Sequence, residues 1–555
     1  MRKIYFLLFI LILLAANVYS QHFDIISTGD PVLQDIRFLS IATGKPFLSF
    51  TPPLAPGEIM NFLLSIDSDT LPEPAKSVYH RALGRLTPQA NLSLTRGVFT
   101  ASLNINANIE AGVKLNEDVK SYPENPDIVP FLALETRLFF SDKVLLYLEP
   151  SWAMRPTRYN KNKFDTNIAA GYFEFDEAMP LKAFAAGGGD WWTFFIGRDR
   201  LFWGTGNTGS LSFSDNSQYF DFARLSFFSS NFKYTMIINQ LPLRLTDDLF
   251  DSNIPSNEDW WNDKDNLINS NHRYFYLHRF DLTLFNRITL GIMEGVMIGN
   301  SPLELKYLNP FMVFHSMFSW NYYDKWRPPY DDWVMGKDNE NHGDLVGSFM
   351  SFDLNWNIVK NFSFYGQLVV NEFAEPGEIK RNPQQPPNGF GYMAGFQFSH
   401  VFSSWASLFY LEFVYTDPYL NILSSPFGSF IQQNHYKQYY YIGYQRDTIV
   451  LSFGGRFFNH GTLQFWGAFS FIVSGEHNIN GITWDWKVGE DSFNQKTPSG
   501  IAEKNYVLSL GGSWKPYSWL ILKSNITGIY SQNNNHILNE NKIGGQISFC
   551  AGFRY

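Results

Sequence analysis

Ile543-Gly-Gly-Gln-Ile-Ser-Phe-Cys-Ala-Gly-Phe-Arg-Tyr555 closes the chain. Every second residue, Ile543, Gly545, Ile547, Phe549, Ala551, Phe553 and Tyr555, is apolar or small. The alternate set, Gly544, Gln546, Ser548, Cys550, Gly552 and Arg554, is polar or small. A period of two is the signature of a β-strand with one apolar face. In water such a strand, ending on a bare aromatic face, invites edge-to-edge association. In an outer-membrane β-barrel, lipid solvates the apolar face and ring closure removes the free edge. The stretch therefore predicts an all-β transmembrane barrel whose last strand ends on Tyr555.

The opposite end agrees. Arg2 and Lys3 precede an apolar run from Ile4 to Ala16, and Val18 and Ser20 fit a small-residue cleavage site before Gln21. Residues 1–20 thus read as a secretory signal peptide. The run falls short of the roughly 20 apolar residues of a spanning helix. No long apolar stretch follows it; over the whole chain mean hydropathy is low at −0.19, yet 18% of residues are aromatic, with 53 Phe and 29 Tyr. A barrel reconciles the two, because only half of each strand faces lipid and aromatic girdles mark both interfaces. One cysteine, Cys550, excludes an intrachain disulfide and a multi-cysteine metal site. A net charge of −9 argues against nucleic acid as a partner.

Residues 21–90 differ from the rest. Leu33, Ile36, Leu39 and Ile41 lie near helical spacing, and Pro52, Pro53 and Pro56 break the chain. Glu58, Ile59, Phe62 and Leu63 begin a second amphipathic run, and Leu71–Leu86 forms a third with proline in its first turn. This is a small periplasmic helical cap or plug, followed by a barrel over 91–555. The alternating segments are 99–113, 132–141, 143–151, 166–175, 191–198, 220–229, 231–243, 273–284, 287–298, 346–358, 361–373, 391–402, 406–416, 437–446, 448–458, 462–473, 504–515, 519–532 and 541–555. That is one more than an even-numbered barrel allows, and the surplus falls near 417–461; the expectation is about 18 strands. Asp142, Ser230, Asn286-Arg287 and Lys360 mark tight turns, which belong on the periplasmic side. Long polar loops over 245–272, 300–345, 374–390 and 474–503 belong outside.

One hairpin fixes which face is which. With Asn286-Arg287 as a two-residue turn, Arg279 opposes Glu294 and shares a face with Asp281. An Arg facing lipid at mid-depth costs about 2–4 kcal/mol, so these charges belong in the lumen as a structural network holding the strands in register. Leu290 and Ile292 then also point inward, where the amino-terminal helices would cover them, and His278 points to lipid or the aromatic girdle.

None of the 11 histidines sits at a spacing that demands a catalytic or metal partner, and no G-x-S-x-G, H-E-x-x-H, P-loop or EF-hand pattern occurs. The expectation is no catalysis and no cofactor. Two loops are more informative. Trp260 and Trp261 lie among Asp251, Asp259, Asn262 and Asp263. Trp326, Tyr330 and Trp333 lie among Asp331 and Asp332. Flat aromatic faces suit sugar rings, and Asp and Asn suit hydroxyls. Those five aromatics are carbohydrate-contact candidates; the alternative is that they serve as girdle residues or pack the loops together.

Residues 191–225 contain Gly197-Arg198, Trp203-Gly204, Gly206, Gly209-Ser210-Leu211 and Ser214-Asp215-Asn216. His278-Arg279-Phe280, Leu290-Gly291-Ile292 with Glu294, Tyr307-Leu308-Asn309-Pro310-Phe311, Asp353-Leu354 and Phe364–Phe373 follow in order. This series resembles the Wzi family of outer-membrane capsule assembly proteins from residue 30 to about 375, with Thr205 standing where proline is expected. The resemblance implies an 18-stranded barrel with a periplasmic helical portion. It implies a lectin-like, non-catalytic role in holding capsular or related polysaccharide at the cell surface. The partners expected are that polysaccharide, outer-membrane lipid and the polysaccharide export machinery. A porin or sugar channel is the alternative function, and a lipid- or glycan-modifying barrel enzyme is a further one.

Overall fold

The computed structural model describes residues 24–86, 92–122, 129–141, 143–156, 164–167, 173–175, 182–217, 219–242, 272–299, 303–312, 314, 346–373, 388–421, 431–434, 437–440, 443–459, 461–477 and 496–555. Eighteen strands form one closed antiparallel barrel. In chain order they are β1 (Phe99–Lys114), β2 (Leu132–Phe140), β3 (Val144–Glu149), β4 (Lys182–Gly188), β5 (Trp192–Asp199), β6 (Phe220–Phe228), β7 (Phe232–Pro242), β8 (His272–Leu284) and β9 (Ile288–Gly299). The second half comprises β10 (Val346–Val359), β11 (Phe362–Glu372), β12 (Gly389–Phe402), β13 (Trp405–Thr416), β14 (Thr448–Asn459), β15 (Leu463–Ser474), β16 (Glu503–Tyr517), β17 (Leu520–Gln532) and β18 (Lys542–Arg554). Each strand pairs with its neighbours, and β18 returns to β1, from Asn106↔Arg554 to Lys114↔Gln546. Tyr555 completes the seam by exchanging backbone hydrogen bonds with Ile105 at 2.6 and 2.8 Å.

The closing strand keeps the face read from its sequence. Ile543, Ile547, Phe549, Phe553 and Tyr555 are exposed on the outer wall. Strand β12 repeats the pattern: Tyr392, Phe396 and Phe398 point out, while Met393, Gln397 and Ser399 are buried inside. Backbone groups are satisfied around the ring, which is what a sheet in hydrocarbon requires.

Two segments of the expected strand list are corrected. The fourth wall strand is Lys182–Gly188, paired with Val144–Glu149 and Trp192–Asp199, rather than 166–175. The surplus segment 437–446 adds no wall strand among its described residues, 437–440 and 443–446. Lys437–Tyr440 forms a separate hairpin with Ile431–Asn434, and β13 pairs directly with β14.

The β8–β9 register also differs. The turn has three residues, Phe285, Asn286 and Arg287, with φ of 53° at both Phe285 and Asn286. Leu284 therefore opposes Ile288, Arg279 opposes Met293, and Glu294 opposes His278. A one-residue slip sends each side chain of the strand to the other face. Leu290 and Ile292 are on the lipid side, 37% and 48% exposed, and Met293 and Met297 are buried inside. The helices do not cover Leu290.

Those helices are α1 (Pro31–Thr43), α2 (Pro56–Leu64) and α3 (Glu73–Arg85). Asp30 caps α1 by accepting from the Val32 amide, and Gly44 ends it at φ 73°. Their apolar faces make one core of Val32, Ile36, Leu39, Leu54, Ile59, Val78 and Ala82, which reaches the inner wall at Ala406 and Phe458. The Phe38 and Phe458 rings meet edge-on at 5.3 Å. Asn361, in the short turn between β10 and β11, donates to the Ile41 carbonyl at 2.8 Å. Asn357 of β10 donates to the Ser40 carbonyl at 3.1 Å. The helices thus fill the barrel end that carries the short turns.

Candidate functional site

After Asp199 the chain leaves the wall and rejoins it at Phe220. The intervening segment folds into the lumen, where Trp203, Leu211 and Phe213 are fully buried. Gly204 adopts φ 146°, a conformation glycine supplies without steric cost, and its amide donates to the Phe50 carbonyl at 3.1 Å. The Trp203 indole donates to the Pro52 carbonyl at 3.2 Å. Segment and helices therefore meet inside the barrel.

Glu412 of β13 anchors the segment. Its carboxylate accepts from the Asn207 amide at 2.7 Å, the Thr208 amide at 3.1 Å, the Tyr365 hydroxyl at 2.7 Å and the Tyr444 hydroxyl at 3.3 Å, and also from the Thr208 hydroxyl. A carboxylate with 0% exposure is tolerable only when its lone pairs are filled in this way. From the helical side, Arg37 donates to the Thr205 carbonyl at 2.9 Å and to Asn207 Oδ1 at 3.0 Å. Burial pulls the Arg37 guanidinium below its ordinary range, against the opposing influence of Tyr365 and Glu412.

The expected Arg279–Asp281–Glu294 network is rearranged by the register. Arg279 donates to Asp281 at 2.7 and 3.0 Å and pairs with Asp353 of β10. Asp281 in turn accepts from the Ser49 hydroxyl of the amino-terminal segment at 2.9 Å. Glu294 is on the outer side with His278, whose Nε2 donates to the Tyr307 carbonyl at 3.0 Å and whose Nδ1 accepts from the Tyr234 hydroxyl at 2.6 Å. Residues 303–312 and 314 lie over that patch, packing Tyr307, Met312 and Phe314 against Tyr276, Val296 and Ile298. A second tie to the helices is Lys233 of β7, which donates to Glu58 of α2 and to Thr51 at 3.0 Å. Sequence reading did not single out Glu412 or Lys233 and gave Asp353 no role; Lys233 shares its inward face with Thr235 and Asn239, and Asp353 with Ser351, Asn355 and Asn357, so nothing in the local pattern marks either.

On the other side of the lumen the packing opens. A cavity of about 800 Å³ lies between Asp30, Gln34 and Arg37 and the inner wall at Tyr410, Arg456 and Trp466. A second, of about 610 Å³, adjoins it. Thr28, Gly29, Trp466, Ile521 and Lys523 line both. The pair reaches from the turn residues Gly461 and Thr462 to Val129 and Pro130 in the β1–β2 loop. Trp260, Trp261, Trp326, Tyr330 and Trp333 lie outside the described residues. Among the described residues no group of three or more His, Cys, Asp and Glu is placed to hold a metal ion.

A closed barrel of eighteen antiparallel strands, with a helical segment in its lumen, defines an outer-membrane protein of the occluded-barrel class. Residues 131–452 match the family described as capsule assembly protein Wzi, and the chain belongs to that family. A solved structure of Wzi, an outer-membrane protein involved in group 1 capsule assembly in Escherichia coli and described as a carbohydrate-binding β-barrel, is 15% identical. The match covers 95% of this chain and 98% of that one, with a TM-score of 0.53. The outer-membrane channel DcaP of Acinetobacter baumannii is 11% identical over 84% of this chain and 100% of that one, with a TM-score of 0.35. Pseudomonas aeruginosa OccD3 is 8% identical over 82% and 91%, with a TM-score of 0.40. No curated protein matches the chain.

Proposed function

We propose that this barrel binds and anchors capsular or related surface polysaccharide without turning it over. The observation that carries the reading is that the lumen is filled from two directions. The helices are held by Lys233–Glu58 and Ser49–Asp281, and the segment after Asp199 is held by Glu412. That arrangement suits a binding platform better than an open pore. The capsule family and the carbohydrate binding of the Escherichia coli neighbour agree with it. Glu412, the most deeply buried carboxylate of this centre, has its donors supplied from within, which favours a structural over a catalytic role. Trp260, Trp261, Trp326, Tyr330 and Trp333 remain the contact candidates, and many weak contacts along a repeating polymer give firm retention. In this reading residues 1–20 are a cleaved signal peptide, 21–90 a periplasmic plug and 91–555 the barrel. The apolar band meets outer-membrane lipid, and the export machinery delivers the polymer.

The test is binding of the purified full-length protein to surface polysaccharide from its own cells. Replacing Trp260, Trp261 and Trp333 together by alanine should weaken it about tenfold or more. Unchanged binding would move the contact site away from these loops. The adjoining lumenal cavities favour one second reading, a narrow channel, and ohmic single-channel conductance of the wild-type barrel would establish it.

A further inference from the structure

The 800 Å³ cavity has an unusual inner wall. Arg456 of β14, Trp466 of β15 and Gly511 of β16 are direct cross-strand neighbours, and Gln464, Ser513 and Lys523 form the next row across β15, β16 and β17. A Cβ at Gly511 would lie 2.3 Å from indole Cε2 of Trp466. The indole therefore packs on bare glycine backbone and lines the cavity. The Arg456 guanidinium sits 5.8 Å from the ring centroid. Among the described residues, neither Arg456 nor Lys523 has a hydrogen-bonded or ion-paired side-chain partner. The nearby carboxylate Asp35 is committed to Arg81 at 2.6 and 3.0 Å. Arg37, Arg85, Arg456, Lys515 and Lys523 line the cavity against Asp30 and Asp215. Asp30 is itself occupied by the Val32 amide and Arg85.

Arg456 is half-buried and Lys523 exposed, so both cations are hydrated and open to a ligand entering the cavity. A flat aromatic face beside two such cations and an amide matches a sugar ring that carries a negative group. We propose that Arg456, Trp466, Gln464 and Lys523 form a lumenal site for acidic saccharide units, uronates or sugars bearing another anionic substituent. The proposal deepens the polysaccharide reading and rests on it. Trp466 packs on the ring, Gln464 bonds hydroxyls, and Arg456 and Lys523, three strands apart, hold anionic groups of successive units. Such a site places acidic polymer inside the barrel, in addition to any loop contact outside.

Titration calorimetry of the full-length protein in detergent, with tetragalacturonate as probe and maltotetraose as neutral control, tests it. Wild type should bind tetragalacturonate more tightly than maltotetraose, and added salt should weaken that preference. R456Q/K523Q should lose about ten- to hundredfold toward tetragalacturonate and little toward maltotetraose. G511V, which displaces the indole without altering charge, should weaken both. Heat-modified gel migration verifies that each variant is a folded barrel. If wild type does not bind tetragalacturonate, or if R456Q/K523Q binds it as wild type does, the lumenal site is wrong. Cells lacking the protein separate the two ideas. If they release polymer while R456Q/K523Q restores full retention and full tetragalacturonate binding, anchoring stands and the lumenal site falls. If they release none, anchoring falls, and the calorimetry decides the site by itself.

Discussion

Replacing Glu58 by alanine should loosen the helical segment from the wall by about 3–5 kcal/mol, the cost of removing one member of a buried ion pair. The geometry places the pair at the strong end of that range. The Lys233 side chain is 0% exposed and that of Glu58 6%. Without Glu58, the ammonium keeps only the Thr51 hydroxyl at 3.0 Å. Glu58 also accepts from the Ala55 amide at 3.0 Å, closing the amino terminus of α2, and losing that adds about 0.5–2 kcal/mol. The paired change E58M/K233M removes both charges and fills the space with apolar atoms, so its cost should be far smaller. Trypsin cleavage at Arg37 and Arg81, both largely buried in the helical segment, reads the opening equilibrium of the intact barrel. E58A should accelerate cleavage about a hundredfold or more over wild type, with E58M/K233M between the two. Equal rates for E58A and E58M/K233M would refute the reasoning, because the effect would then not come from a stranded charge.

The outer and inner faces of β9 can be separated by fluorescence: tryptophan at Leu290 should be quenched by brominated lipid, and tryptophan at Met293 should not. The reverse would restore a two-residue turn at Asn286-Arg287. Gly295→Val should lower barrel stability by about 1–3 kcal/mol, because its side chain would meet the Phe275 ring at 2.7 Å and Phe349 at 3.0 Å. Gly528→Ala, with nothing within 4 Å, should be close to neutral in the same heat-modifiability assay.

Barrel class was legible because outward Phe and Tyr alternate with small or polar inward residues, as from Ile543 to Tyr555. The helical segment was legible from its spacing and prolines. Strand Lys182–Gly188 was hidden because Ala183, Ala185 and Gly187 carry no aromatic signal, whereas Phe173-Glu-Phe175 imitates one. Tyr439-Tyr440-Tyr441 imitated another, though Lys437–Tyr440 pairs outside the wall. The β8–β9 register failed on Phe285, which adopts a left-handed conformation that bulky residues seldom take. That single residue decided whether Arg279 would meet Glu294 or Asp353. The lumenal cavity was illegible for a different reason. Arg456, Trp466, Gly511 and Lys523 come from four strands, and only the pairing register brings them together.

The central claim is retention of polymer at the cell surface. The measurement that tests it is the ratio of cell-bound to released surface polysaccharide in a strain lacking this protein, with and without the wild-type chain restored. The account predicts undiminished synthesis with polymer shed into the medium, and reattachment on restoration. Unchanged attachment in the deletion strain would contradict it.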